Sequence, residues 1–429
     1  MNHELRLREK IFSLFIFSLF LLWTSLEGMS QDGKISLSEL LRLAKERNPG
    51  LLALQEQIKA ERGRVIPQAT LPDPILNLSL KNMGATELSV GKEMMSGVGF
   101  SFSQMIPFPG KLRLQGEMAA TQAQRAEQLK EAYAWNLNRQ LKEFYAQLFY
   151  YQRTLEVLSK KKHFLVKALA AATSRYSLGE GTQNDVFKAR LAIAELEQMT
   201  HPVEERLRAI EGQINSLLTW PIDQSLGQAE KIPIDQLNLS LAELLALAQK
   251  NSPKLKEAQL IIEEQEKKVE LSRREFWPNF MIQIGKDFKG PFKDMYEIMV
   301  SVEVPLFFKR KQANLLEAAL AELNQARLTF TSMEKEIQAM VNENYLQAKR
   351  AEQLIKLIRQ NLLPQAALTL ESSLANYQVG KVDFLALLED IDHLYSYERE
   401  YYHELSELWQ AVARLEELTG LNLLSEEKK

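Results

Sequence analysis

A chain of 429 residues is long enough for two or three ordinary domains of roughly 100–200 residues each. Charged residues make up 25% of it with a net charge of −3, so no basic excess is present to hold nucleic acid, while 45% hydrophobic residues suffice for a large core. It contains no cysteine, which excludes disulfides, zinc–cysteine sites, iron–sulfur clusters, thiol catalysis and a lipidated cysteine anchor.

The N-terminal segment has the layout of a secretory signal peptide, assigned to residues 1–30. Arg6, Arg8 and Lys10 precede an apolar run from Ile11 to Trp23, followed by the small residues Gly28 and Ser30. That run, about 13 residues, falls short of the roughly 20 that a membrane-spanning helix needs. The mature chain is expected to start near Gln31, and no later stretch is long and apolar enough to span a bilayer as helix.

The remainder repeats itself. Leu37-Ser38-Glu39-Leu40-Leu41-Arg42-Leu43-Ala44, ending at Pro49, returns 204 positions later as Leu241-Ala242-Glu243-Leu244-Leu245-Ala246-Leu247-Ala248, ending at Pro253. Pro74 answers Pro278, Ile106-Pro107-Phe108 answers Val304-Pro305-Leu306, and Tyr176–Gly179 answers Tyr377–Gly380. The expected division is a first repeat over 31–218, a linker over 219–238, a second repeat over 239–420 and a polar tail over 421–429.

In chain order each repeat opens with a short helix and a proline-started one, Pro49 to about Gln68 and Pro253 to about Arg274, with Ser252 placed to cap the latter. Two strands of period two follow, about 75–82 and 97–106 in the first repeat and about 279–288 and 296–305 in the second. Leu76, Leu78 and Leu80 alternate with Asn77, Ser79 and Lys81; Ile298, Val300, Val302 and Val304 alternate with Met299, Ser301 and Glu303. The period then becomes helical, predicting hairpins over about 111–218 and 309–418. In each, a helix near 65 residues turns at Gly179 or Gly380 into an antiparallel partner. Pro202 and Pro364 predict a kink or break.

An apolar strand face opposite a polar one fits either a half-buried soluble sheet or a lipid-facing, water-lined wall. Strand length, the export signal and aromatics at the strand–helix junctions (Phe108, Phe276, Trp277, Phe307, Phe308) favour the wall. Four strands cannot close a barrel, for which about eight are the minimum, so several protomers must pool theirs. Asn77, Ser79, Ser101, Ser103, Gln283 and Ser301 would then line the pore, and the helical hairpins would continue it as a tube.

The twofold repeat, the strand pairs, Ile106-Pro107-Phe108-Pro109-Gly110-Lys111, the Val304–Phe308 junction and the Tyr-x-x-Gly turns resemble the TolC-type outer membrane efflux family. The resemblance covers nearly the whole mature chain, and Pro107–Lys111 is most similar to its heavy-metal cation branch. It implies a mainly α fold with a membrane β-barrel portion: a homotrimer with a 12-stranded barrel in outer membrane lipid and a helical periplasmic tunnel. The implied partners are a periplasmic adaptor (membrane fusion protein) and an inner-membrane transporter of the RND type. Tyr176, Leu178, Gly179, Tyr377, Val379 and Gly380 would form the adaptor-docking tips, and Glu371 and Asp383 the aperture at the periplasmic entrance. A drug-efflux or type I secretion outlet is an alternative within transport, and a non-porous coiled-coil tether one outside it.

No catalytic or cofactor chemistry is expected. Gly110-Lys111 and Gly380-Lys381 lack the upstream glycine and the hydroxyl of a phosphate-binding loop. His3, His163, His201, His393 and His403 form no close pair, adjacent Met94 and Met95 are a weak copper motif, and Tyr395, Tyr397, Tyr401 and Tyr402 fit coiled-coil packing.

Overall fold

A computed structural model describes residues 34–83, 90–231 and 237–423. The predicted signal peptide and its cleavage site, part of the first strand-to-strand loop, part of the linker and the last six residues lie outside them. Two compact units form, and each draws on both repeats. One comprises residues up to Asn48, Leu137–Asn238 and Leu346–Ala413; the other comprises Pro49–Asn136, Leu239–Tyr345 and the chain from Arg414.

The elements follow the repeated order. The first repeat gives β1 (Lys34–Ile35), α1 (Leu37–Arg47), α2 (Pro49–Ala69), β2 (Ile75–Lys81), β3 (Gly97–Ile106), α3 (Lys111–Ser177) and α4 (Gln183–Leu218). After β4 (Gln228–Ala229), the second gives α5 (Leu241–Asn251), α6 (Pro253–Arg274), β5 (Asn279–Phe288), β6 (Met295–Glu303), α7 (Gln312–Leu357), α8 (Leu363–Gln378) and α9 (Phe384–Thr419). Ser240 and Glu243 close a reciprocal capping box on α5. Ser252 occupies the N-cap position of α6, but its hydroxyl makes no capping bond. The expected cap is therefore not made; Ser252 is buried where α5 hands directly over to α6, its N–H bonding Ala248 O.

The two prolines behave differently. The second long helix was expected to run near 65 residues; it is interrupted by a π-helical turn at Ile358–Leu362. Pro364 has no N–H to donate and its ring crowds the carbonyl one turn back, and the widened turn, with Leu363 N–H reaching Ile358 O, relieves both. Pro202 breaks nothing, since α4 runs through it. It lies on an exposed face, where solvent can serve the freed carbonyl.

In the unit containing the strands, β2, β3, β5 and β6 form one antiparallel sheet in that order. The two hairpins join through β3 and β5, with Ser103 opposite Gln283 and Ile106 opposite Phe280. Pairing ends at Glu303, so Val304, before Pro305, lies just beyond β6. The sheet is open, with β2 and β6 as its edges. Beside it, α6 and α7 bury Ile262 and Val269 against Ala319 and Leu323.

The other unit holds a four-helix core. Leu158, Leu165, Ala168 and Ala172 of α3 and Val186, Ala189 and Leu196 of α4 pack with Leu370 and Tyr377 of α8 and Phe384, Leu387 and Ile391 of α9. Tyr402 packs edge-on against Phe149, which meets Trp409 at 4.9 Å, as coiled-coil packing of the tyrosines requires. β1 pairs in parallel with β4, a contact invisible in the sequence. Tyr145 secures it: its hydroxyl donates to Ile35 O at 2.8 Å and accepts from Glu230 N–H at 2.7 Å, and burial pushes its pKa up to about 12. Tyr145→Phe orphans those groups and is expected to destabilise the unit by about 1–3 kcal/mol. An unchanged thermal midpoint, read by circular dichroism, would show that the pairing does not depend on Tyr145.

Candidate pore-lining face and helical tips

Cross-strand partners in an antiparallel sheet project to the same side. The register therefore puts Asn77, Ser79, Ser101, Ser103, Gln283 and Ser301 together on one face. The opposite face carries Leu76, Leu78, Leu80, Phe100, Phe102, Ile282, Ile284, Ile298, Val300 and Val302. None of these packs into a core: Leu76 is 75% exposed, Ile298 76% and Val300 63%. A continuous apolar face this open calls for cover by lipid or by another protein surface, which weighs against a sheet half-buried on its own core.

Beside Lys81, which the alternation had placed there, the polar face carries two carboxylates that the sequence reading missed. Lys81 Nζ lies 2.8 Å from Asp287 and 3.3 Å from Glu297, bringing β2, β5 and β6 together at the end of the sheet far from the helices. Strand parity alone could have found them, since both carboxylates alternate in step with Gln283 and Ser301. On the apolar face the one charged strand residue is Lys286, which lies over the Phe288 ring at 4.5 Å and the Tyr296 ring at 5.5 Å and pairs with Asp294 at 3.1 Å. A cation tucked among aromatics at the end of the apolar band is the arrangement of a membrane interface.

At the other end of the sheet the Pro107–Lys111 turn is clamped. Lys111 is 3% exposed, and its Nζ donates to Glu275 Oε2 at 3.0 Å and Asn279 Oδ1 at 2.9 Å. The same Asn279 oxygen accepts from Phe108 N–H, while its Nδ2 donates to Glu303. Arg274 Nη1 donates to Pro109 O at 2.9 Å. Phe108 stacks on Trp277 at 5.2 Å, joining the two repeats, and Phe276 meets Phe308 at 6.4 Å within the second, so the aromatics expected at the junctions pair with one another.

The helical turns are built alike. Gly179 and Gly380 have φ of +73° and +74°, a left-handed conformation that glycine adopts without side-chain strain. Glu180 N–H reaches Arg175 O and Lys381 N–H reaches Asn376 O, each at 2.9 Å, closing the same C-terminal motif. Thr182 Oγ1 and Asp383 Oδ1 then accept from the N–H of Asp185 and Ala386 to start α4 and α9. Asp383 is thus a helix cap as well as an exposed acid; Glu371 is exposed on α8, where neighbouring Ser373 donates across to Asp390.

The two tyrosines of the turns part company. Tyr176, Leu178 and Val379 are exposed, whereas Tyr377 is 1% exposed and packs on Phe384. Arg175 covers it with its guanidinium 4.9 Å from the ring, while Nη1 donates to Tyr377 O at 2.7 Å and Nη2 to Glu180 O at 2.9 Å. A Cβ at Gly380 would meet that guanidinium at 2.9 Å, whereas the space around Gly179 is open. Arg175 therefore ties the two tips of one chain together.

Among the described residues no group of three or more His, Asp or Glu side chains is placed to hold a metal ion, and no helix is long and apolar enough to cross a membrane. The carboxylate of Glu404 raises the pKa of His403, whose ring meets Tyr150 edge-on. His393 stacks on Tyr397.

An open sheet, apolar on one face and polar on the other, together with two long helical hairpins, defines a class of fold, one whose strands can be pooled between protomers. Residues 244–421 match the family described as outer membrane efflux protein. The chain is 20% identical over 405 residues to the cobalt-zinc-cadmium resistance protein CzcC of Cupriavidus metallidurans, covering 90% of each. Among solved structures it is similar to the outer membrane protein VceC of Vibrio cholerae, with 17% identity, a TM-score of 0.75 and coverage of 90% of this chain and 96% of that one. It is also similar to the open state of the Neisseria gonorrhoeae MtrE outer membrane channel, with 15% identity, a TM-score of 0.73 and coverage of 90% and 89%. The chain has the TolC-type fold of these channels, as the sequence motifs implied, and its second repeat carries the match to the outer membrane efflux protein family.

Proposed function

We propose that the protein is the exit duct of a tripartite efflux system: a homotrimer that passively conducts substrate from a periplasmic adaptor and an inner-membrane pump of the RND type through the outer membrane. The carrying observation is the open amphipathic sheet. Its edges β2 and β6 run antiparallel to each other, so β6 of one chain can pair with β2 of the next without breaking the alternation. Unpaired edges are not tolerated in lipid, and three chains give twelve strands, an even number in a closed ring. The polar face then lines the lumen. The likeness to CzcC favours metal cations as cargo over a drug or secreted protein. Reconstitution into planar bilayers tests the reading: discrete conductance steps are expected, and their absence from correctly assembled protein would leave a tether.

In this reading the tips surround the periplasmic entrance. Tyr176, Leu178, Gly179, Val379 and Gly380 meet the adaptor, Glu371 and Asp383 contribute acidic rings, and Tyr377 supports the turn from within. Arg175 holds the entrance narrow by joining the tips. Arg175→Ala is expected to raise single-channel conductance severalfold while leaving assembly intact; an unchanged conductance would remove Arg175 from the gate.

A further inference from the structure

Thirteen methionines occur in the chain, and four lie in the sheet: Met105, Met281, Met295 and Met299. All four are on the polar face, and none is among the Leu, Ile, Val and Phe residues of the apolar face. Methionine placed for packing or lipid contact would favour the apolar side. Here Met105 and Met299 are each 43% exposed on the wall assigned to water.

Three of them converge. Met105 is directly opposite Met281, which places their Cβ atoms about 4.5–5.5 Å apart. Met281 is opposite Ser301, and Met299 is opposite Gln283, so Met299 is the diagonal neighbour of Met281 at about 7–8 Å, within reach of long side chains. The other residues in these two rows are the neutral Ile75, Ser103, Gln283 and Ser301. Carboxylates stand one row away on either side, Glu303 towards the helices and Glu297 towards the far end. A cation moving along this face passes an acid, a band of thioethers and then another acid.

Thioethers are soft, uncharged ligands that select Cu(I)-type ions, whereas zinc and harder divalent ions prefer imidazole and carboxylate. We propose that Met105, Met281 and Met299 form a transient thioether site for soft monovalent cations of the Cu(I) and Ag(I) type on the lumen wall. This rests on the exit-duct reading and assigns it a cargo class different from that in the name of CzcC. In an assembled channel each protomer contributes one such triad, and the exposed ligands suit passage rather than storage.

The test is single-channel recording in nitrate electrolyte with micromolar Ag⁺ as probe. Wild-type channels are expected to show reversible block. The triple variant Met105→Leu/Met281→Leu/Met299→Leu, close in volume, should need at least about ten times more Ag⁺ for half-block, each channel being read against its own unblocked conductance. Met105→Leu alone should shift the half-block in the same direction by less, which covers a triple variant that fails to assemble. Zn²⁺ should produce no methionine-dependent block. Equal Ag⁺ sensitivity in wild type and variants, or sensitivity lost only in Met94→Leu/Met95→Leu, overturns the site. If assembled wild-type protein does not conduct at all, the duct reading fails separately; calorimetric Ag⁺ titration of detergent-solubilised wild type and triple variant then decides the site, and equal binding by both overturns it.

Discussion

Phe100→Arg is expected to impair barrel assembly, whereas Ser101→Arg, one residue along the same strand, should assemble and alter conduction. Phe100 lies on the apolar face of the interior strand β3, between Leu78 and Lys286, with its ring 5.9 Å from that of Phe288. Arginine on the lipid face costs about 2–4 kcal/mol at mid-bilayer and less towards the interface, where the Lys286 row stands, so the cost here falls below that range. Lys286 directly opposite adds like-charge repulsion. Ser101 faces the other way, where an arginine remains in water. Heat-modifiable oligomer in isolated outer membranes is the readout; normal assembly of Phe100→Arg together with failure of Ser101→Arg would reverse the two faces.

The second large effect concerns the clamp at the strand–helix junction. Glu275→Ala is expected to lower the thermal midpoint more than Lys111→Met does, although both break the same ion pair. Lys111 is buried while Glu275 is about two-fifths exposed. Removing Glu275 leaves a buried ammonium with only neutral acceptors, Asn279 Oδ1 and Trp277 O, at a cost of about 3 kcal/mol. Removing Lys111 deletes the buried charge and returns Glu275 to solvent. It also relieves an ammonium at the first residue of α3, where the helix dipole disfavours a cation. Equal losses in the two variants would mean that the pair acts through geometry and not through the buried charge.

What the sequence made legible is what repeats or has a period. Leu76/Leu78/Leu80 against Asn77/Ser79 needs no partner to reveal two faces, so the face assignment followed from local alternation alone. The turns were legible because a left-handed residue after a long helix has few solutions, and Gly179 and Gly380 share one. Interactions between distant segments were not legible. Lys111 and Glu275 are 164 positions apart, and Arg175 and Tyr377 are 202 apart. The turns read as equivalent, yet Tyr377 is buried and Tyr176 exposed because Arg175 stands only in the first repeat; Asn376, its counterpart, is too short to make the same reach. The pairing of β1 with β4 spans two residues on each strand, too few for any period to show. Pro364 announced a disturbance, but a proline alone does not distinguish a break from a widened turn.

In the proposed channel, β2 of one chain pairs with β6 of the next in a ring of three. Because the chain has no cysteine, introduced thiols report this without background. Asn77→Cys on β2 combined, in separate proteins, with Met299→Cys or Ser301→Cys on β6 places thiols on the same face of the two open edges. Mild oxidation of purified protein, followed by denaturing electrophoresis, is expected to give for at least one pair a ladder that stops at three times the monomer mass, with each single-cysteine protein remaining monomeric. Monomer alone from both pairs in assembled protein, or a ladder continuing past three, would contradict the trimeric barrel.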